Sequence, residues 1–149
     1  MSTEPSKFKM NGENKMTRRP LQITLVFIGV VQMVLGLAFA LVPTQFSAML
    51  GLAAAPTWVY WMFAMFSARA FGFAYGMFLA ARDPIKHVAW IRAMIGVQAI
   101  DWLATTYYVL TGAVTLAQVT TASFLPIIFI ALLVGFYPRQ QTALQNARA

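Results

Sequence analysis

Four side chains of this chain stand where their chemistry is out of place: Gln32, Arg69, Gln98 and Asp101 each interrupt a long run of apolar residues. A lone charge in hydrocarbon costs at least about 3 kcal/mol, so such residues are kept as pairs, in proton relays or at binding sites. Arg69 and Asp101 carry opposite signs. Together they make a charge-assisted clasp; apart, Asp101 becomes a proton-exchanging or hydrogen-bonding group and Arg69 a partner for an anionic or carbonyl head. Other chemistries lack their residues. The chain has no Cys and one His, His87, which leaves no thiolate and too few ligands for a metal centre. It also lacks a serine elbow, a phosphate-cradling glycine loop and paired carboxylates, so no catalytic residue is assigned and a non-enzymatic role is expected.

These side chains have to be positioned by helices. Hydrophobic residues make up 60% of the chain and charged residues 10%, against roughly 25% charged in globular domains. This balance implies an integral membrane protein. At 149 residues the expected fold is all-α, a four-helix transmembrane bundle of spans 21–42, 57–81, 86–110 and 114–137. A disordered basic tail over 1–20 precedes it and a polar tail over 138–149 follows. The net charge of +7 sits beside the apolar runs, where basic residues set orientation and meet anionic lipid; nucleic acid is not an expected partner.

Along the chain, Pro43 ends the first span. Its basic start and the Ala38-Phe39-Ala40 triplet resemble a signal peptide, but the apolar run is longer than a usual signal core. The uncharged stretch Pro43 to Pro56 spaces Phe46, Met49, Leu50 and Leu52 as a short helix would. The second span carries Arg69 near its middle and stops at Arg82-Asp83-Pro84, a turn marked by proline and charge. The third holds Arg92, Gln98 and Asp101. A turn around Gly112 leads to the fourth, which is interrupted by Pro126. Nine Lys and Arg fall on the N-terminal tail, the Arg82 to Lys86 turn and the C-terminal tail, and none on the other two connections. Both termini should therefore be cytoplasmic, with Trp58, Tyr60, Trp61, Tyr107 and Tyr108 at the outer interface and Trp90 and Tyr137 at the inner one.

In the second span Ala64, Ala68, Gly72, Gly76 and Ala80 recur every fourth residue and predict a small-residue packing ridge beside Arg69. The short turn after it makes the second and third spans antiparallel neighbours. At 1.5 Å per residue, Arg69 and Asp101 then lie within roughly a few ångströms of one height, with Gln32 near the same depth. An intramembrane ion pair of Arg69 with Asp101 is expected. On the third helix Met94, Gln98, Asp101, Thr105 and Tyr108 share one face, while Arg92 points oppositely and anchors the cytoplasmic end. Gln32, Gln118 and Thr121 either converge with that face on a polar pocket or hydrogen-bond neighbouring helices.

The series Pro43, Phe46, Gly51 and Leu52, followed by Arg69, Gly72, Gly76, Arg82, Asp83 and Pro84, resembles small bacterial four-helix membrane proteins of the DoxX-like kind over Gly36 to Gly112. The resemblance implies a compact multi-pass bundle in the bacterial inner membrane and, for some members, association with quinone-linked oxidoreductases. Arg92, Gln98 and Asp101 have no counterpart in that pattern. Two functions follow as expectations. One is a noncatalytic accessory or structural subunit of a larger membrane complex, with lipid and other membrane chains as partners. The other is a binder of a quinone or lipid-like amphiphile in a pocket of Arg69, Asp101, Gln32 and Gln98, with proton exchange at Asp101; no cofactor is otherwise required.

Because the chain is free of cysteine, orientation has a direct test. A single cysteine placed in the Pro43 to Pro56 loop should react with an impermeant thiol reagent from the outside only. Labelling from the cytoplasmic side would overturn the orientation.

Overall fold

Ala, Leu, Met and Phe propagate helix until proline or glycine intervenes, and the helix boundaries of this chain follow that rule. The computed structural model describes residues 6–138. It is all-α, with five helices: α1 (Ser6–Leu41), α2 (Pro43–Met49), α3 (Val59–Arg82), α4 (Val88–Leu110) and α5 (Thr120–Gly135). Residues 1–5 and the polar C-terminal segment from Arg139 lie outside the described residues. Pro43 occupies the first turn of α2, where a missing N–H costs nothing. Gly51 (φ +67°) and Gly112 (φ +75°) supply the left-handed turns after α2 and α4. Between α3 and α4, Asp83 holds the connection through its backbone carbonyl, which accepts from His87 N (3.1 Å), and its Oδ1, which accepts from Lys86 N (3.2 Å).

Two boundaries differ from expectation. The basic stretch expected to be a disordered tail is helical from Ser6 and runs through Pro20 into the apolar part of α1. Its Lys, Met, Glu and Arg residues are good helix formers, and extending an existing helix avoids the cost of nucleation. The fourth apolar segment, expected over 114–137, is helical only over the 16 residues of α5. The preceding residues form a turn instead, in which Thr115 N donates to Gln118 Oε1 (2.9 Å) and Thr120 Oγ1 to Leu116 O (2.9 Å). Two segments are long and apolar enough to cross a membrane, Arg19–Leu41 and Val59–Arg82. α4 matches them in length, with 23 residues, but contains Arg92, Gln98 and Asp101.

Helix α3 packs chiefly on α1, and α4 chiefly on α5. The α1–α3 seam has one register. A Cβ on Gly29 would stand 2.8 Å from Phe78 and one on Gly36 2.6 Å from Phe71, so seven residues forward on α1 match seven back on α3. At the far end Gln22 Nε2 donates to Ala81 O (2.9 Å). The small-residue ridge divides in two: Gly76 and Ala80 are buried, whereas Ala64, Ala68 and Gly72 are exposed, and a Cβ on Gly72 would meet nothing within 4 Å. The face of α3 that buries its small residues is instead Ser67, Ala70, Ala74, Met77 and Ala81. Gly76 is the close-approach point with α4, since a Cβ there would overlap the Trp90 ring. Trp90, expected at an interface, is half-buried at that contact and edge-on to Phe73, with centroids 6.3 Å apart.

The fully packed core lies at the end of the bundle that carries the α3–α4 turn. It comprises Leu21, Leu25 and Ile28 of α1, Met77, Ala80 and Ala81 of α3, Ile91 and Met94 of α4, and Phe129 and Leu133 of α5. Beyond Met94 and Phe129 the helices no longer meet in the middle. Gly76→Ala should lower stability by about 1–3 kcal/mol, because Trp90 cannot yield without strain. Gly72→Ala should be neutral or stabilising by up to about 1 kcal/mol through helix propensity. Thermal unfolding of the two variants, compared with the parent, checks the pair.

Candidate functional site

Where the core ends a cavity of about 460 Å³ begins. Val31, Phe73 and Phe129 form its floor, next to the core. Along α4 its wall runs from Val97 to Tyr108, about 16 Å at 1.5 Å per residue. The opposite end is covered by Phe46 and Leu50, at and just after α2, and by Val114, Gln118 and Val119 before α5. Gln118 ties the two covering segments together, its Nε2 donating to Gly51 O at 2.8 Å. Phe39 stacks edge-on against Phe46 and Phe66, with centroids 4.9 and 4.8 Å apart, and closes the side formed by α1 and α3.

Gln32, Arg69, Gln98 and Asp101 all line this cavity. Gln32 is 8% exposed and its side chain makes no hydrogen bond among the described residues. Gln98 is 5% exposed, and its Nε2 donates to Met94 Sδ at 3.3 Å, a weak acceptor. Among the described residues no fully shielded side-chain nitrogen or oxygen lacks a partner. The free amide atoms of Gln32 and Gln98 therefore reach the cavity space.

Arg69 and Asp101 do not form the expected ion pair: no nitrogen–oxygen approach within 4.0 Å joins them, although each lies within electrostatic reach of the other. Register and gap both explain this. With Gly76 against Trp90, the residue opposite Arg69 is about Val97, one turn or roughly 6 Å short of Asp101. The α3 and α4 arms are also held together less closely than either is to its other partner. The guanidinium lies over the Phe73 ring instead, 6.0 Å from its centroid, a cation–π contact one turn along the same helix. Asp101 accepts from Thr105 Oγ1 only through its backbone carbonyl (2.8 Å). The depth of Gln32 differs as well. The α1–α3 register puts it opposite about Tyr75, six residues or roughly 9 Å along the axis from Arg69. The polar groups thus form a line down the cavity and not a single cluster.

Of the α4 face read from the sequence, Gln98, Asp101, Thr105 and Tyr108 line the cavity, and Met94 lies below it in the core. Thr121 and Gln118 join them, Gln118 from the turn before α5. Arg92 is exposed and away from the cavity; its Nε donates to Tyr137 Oη and its charge lies over that ring, 5.9 Å from the centroid. Pro126 was legible as a break in a helix but not as part of the wall. It has no N–H for the carbonyl of Ala122 one turn back, and both residues line the cavity. A proline in an apolar helix at the depth of the polar residues is the signal that locates this side. Comparison with protein-family models, curated proteins and solved structures finds no match.

The arrangement presents a guanidinium, a carboxyl group and two amides to one apolar cavity. No nucleophile with a base beside it is present there, and among the described residues no group of three or more metal-ligating side chains forms. Since Arg69 and Asp101 are not in contact, a double-mutant cycle of Arg69→Gln and Asp101→Asn should give a coupling energy below about 1 kcal/mol. Side chains in direct contact give coupling energies of about 0.5–3 kcal/mol, so a value above about 1 kcal/mol from equilibrium unfolding of the four proteins would show that the pair forms.

Proposed function

We propose that the protein is a multi-pass membrane protein of the bacterial inner membrane, with both termini cytoplasmic, that binds a quinone-like or lipid-like amphiphile in the cavity between α1, α3, α4 and α5. The carrying observation is the Gln32 amide. It is buried, unpartnered and open to a cavity that is also lined by Arg69 and Asp101, which are not in contact. Its amide atoms are not shielded but face the cavity, where a bound head group can supply hydrogen bonds that no protein atom makes. The volume falls in the range of about 300–1,000 Å³ typical of small-molecule sites, and the pattern of apolar walls with a few polar groups is theirs as well.

Membrane embedding is supported by the many large apolar side chains on the outside. Met49 is 84% and Leu110 81% exposed, and Ile23, Leu41, Ile100 and Leu103 are also exposed, while Gln32, Ser67 and Gln98 are buried. In water such apolar surface drives association; in lipid it is the required exterior. α4 would keep Gln98 and Asp101 on the cavity and Arg92 at the end beside Tyr137. The α5 helix, about 24 Å long at 1.5 Å per residue, would need its flanking turns to complete a crossing of about 30 Å.

The DoxX-like resemblance belongs to this proposal and gains structural sense from it. Pro43 opens α2, Phe46 packs on Phe39, and Gly51 takes the positive φ that returns the chain to α3. Membership of a larger complex is compatible with the same reading. The exposed rings of Trp58, Trp61 and Phe66 suit acyl chains as well as a partner chain, so the cavity and not that surface carries this reading.

Purification in mild detergent followed by mass spectrometry of extracted lipids and quinones tests the reading. The parent should carry an amphiphile at near one per chain. Ala104→Trp, which places a large ring in the cavity wall, should reduce it at least about tenfold, a loss of about 1.4 kcal/mol or more in binding, with little change in unfolding temperature. A parent protein with nothing above the detergent background would refute the proposal.

A further inference from the structure

We infer that the cavity selects an amphiphile whose head is uncharged and bears both hydrogen-bond donors and acceptors, as a glycerol ester does. The inference rests on the binding reading above and narrows it to a class of ligand. Arg69 and Asp101 line the same cavity without an ion pair. An anionic head near Arg69 gains a cation but meets the carboxylate across the same apolar space, and a cationic head meets the reverse. In surroundings of low dielectric neither repulsion is screened as it is in water. A neutral head that accepts from the guanidinium and donates to the carboxylate satisfies both groups without an added charge to desolvate.

The two amides point the same way. A primary amide donates and accepts at once, so Gln32 and Gln98 complement hydroxyls and ester carbonyls and add no net charge to the site. Both are more than nine-tenths buried, and Gln32 has no partner among the described residues. The register sets Gln32 about six residues along the axis from Arg69, roughly 9 Å. Such a line of polar groups fits a head with several hydrogen-bonding groups along its length better than a single hydroxyl. Phe39, Phe46, Phe66 and Leu125 leave apolar wall for the chain attached to it.

Retention of three radiolabelled probes with the same acyl or alkyl chain tests this on the full-length protein in nanodiscs at neutral pH: a monoacylglycerol, an alkyl sulfonate and a primary alkylammonium. The parent should retain the monoacylglycerol at least about tenfold better than either ion, equivalent to about 1.4 kcal/mol. Asp101→Asn should raise the sulfonate relative to the monoacylglycerol by a similar factor, and Arg69→Gln should raise the ammonium. A parent that prefers either ion, or two folded variants that leave the ranking unchanged, overturns the neutral-head inference and leaves the binding site standing. Retention of no probe by any of the proteins overturns the binding reading and this inference with it. The parent ranking is decisive by itself if one variant fails to fold.

Discussion

Close approach at three glycines decides where this protein is solid and where it is hollow. Gly29 and Gly36 receive Phe78 and Phe71, which locks α1 to α3 over most of their length, and Gly76 receives Trp90, which brings α4 in only near the α3–α4 turn. The connection there is short, five residues from Asp83 to His87, and keeps the arms together. At the other end α4 and α5 are joined by the nine residues 111–119, and α1 reaches α3 by way of α2, so nothing compels the arms to close. Core packing at interior density is therefore confined to the turn end, and the cavity occupies what is left. A bundle held at every level would have no such space.

Polar residues inside an apolar chain fall into two kinds here, and the difference is a matter of reach. Ser47, Ser67, Thr105, Thr106 and Ser123 each donate to the carbonyl four residues back, at 2.8–2.9 Å. A short hydroxyl side chain satisfies itself on its own helix and so reports nothing about its neighbours. Glutamine has a longer side chain and two polar ends. Gln22 spends its amide on Ala81 and Gln118 on Gly51, each bridging two segments. Gln98 reaches only Met94 of its own helix and Gln32 has no side-chain partner among the described residues; both are buried, which makes these two informative.

This contrast also explains what the sequence makes legible. Helix type, the short α2, the turn at Arg82-Asp83-Pro84 and the glycine turn at Gly112 are local, set by proline, glycine and apolar runs, and all are present. The face of α4 that carries Gln98, Asp101 and Thr105 follows from helical periodicity, and those residues do share one wall. Interhelical register is not local. Small residues at four-residue spacing suggested a ridge through Ala64, Ala68 and Gly72, yet the seam runs through Ser67, Ala70 and Ala74, because a ridge is used only where a partner has a matching groove. The extent of α5 escaped for a related reason. Gln118 and Thr115 read as ordinary residues of an apolar run until their reciprocal contacts are seen to make a turn.

The separation of Arg69 from Asp101 is the least economical feature of the fold and for that reason its most telling one. A shift of about one helical turn between α3 and α4 would bring Arg69 to Asp101, but it would also carry Gly76 away from Trp90, the contact that admits α4 to the core. Leaving a bulky indole without its glycine costs about 1–3 kcal/mol in overpacking. An Arg69–Asp101 ion pair would gain little in return, because the arginine is exposed and the aspartate only half-buried, and exposed pairs contribute about 0–1 kcal/mol. Packing therefore wins, and the guanidinium settles over Phe73 while the carboxylate remains on the cavity wall. A fold that sets its register by fitting one ring to one glycine leaves two opposite charges available across a common space, a consequence of packing that recognition of a neutral head would put to use.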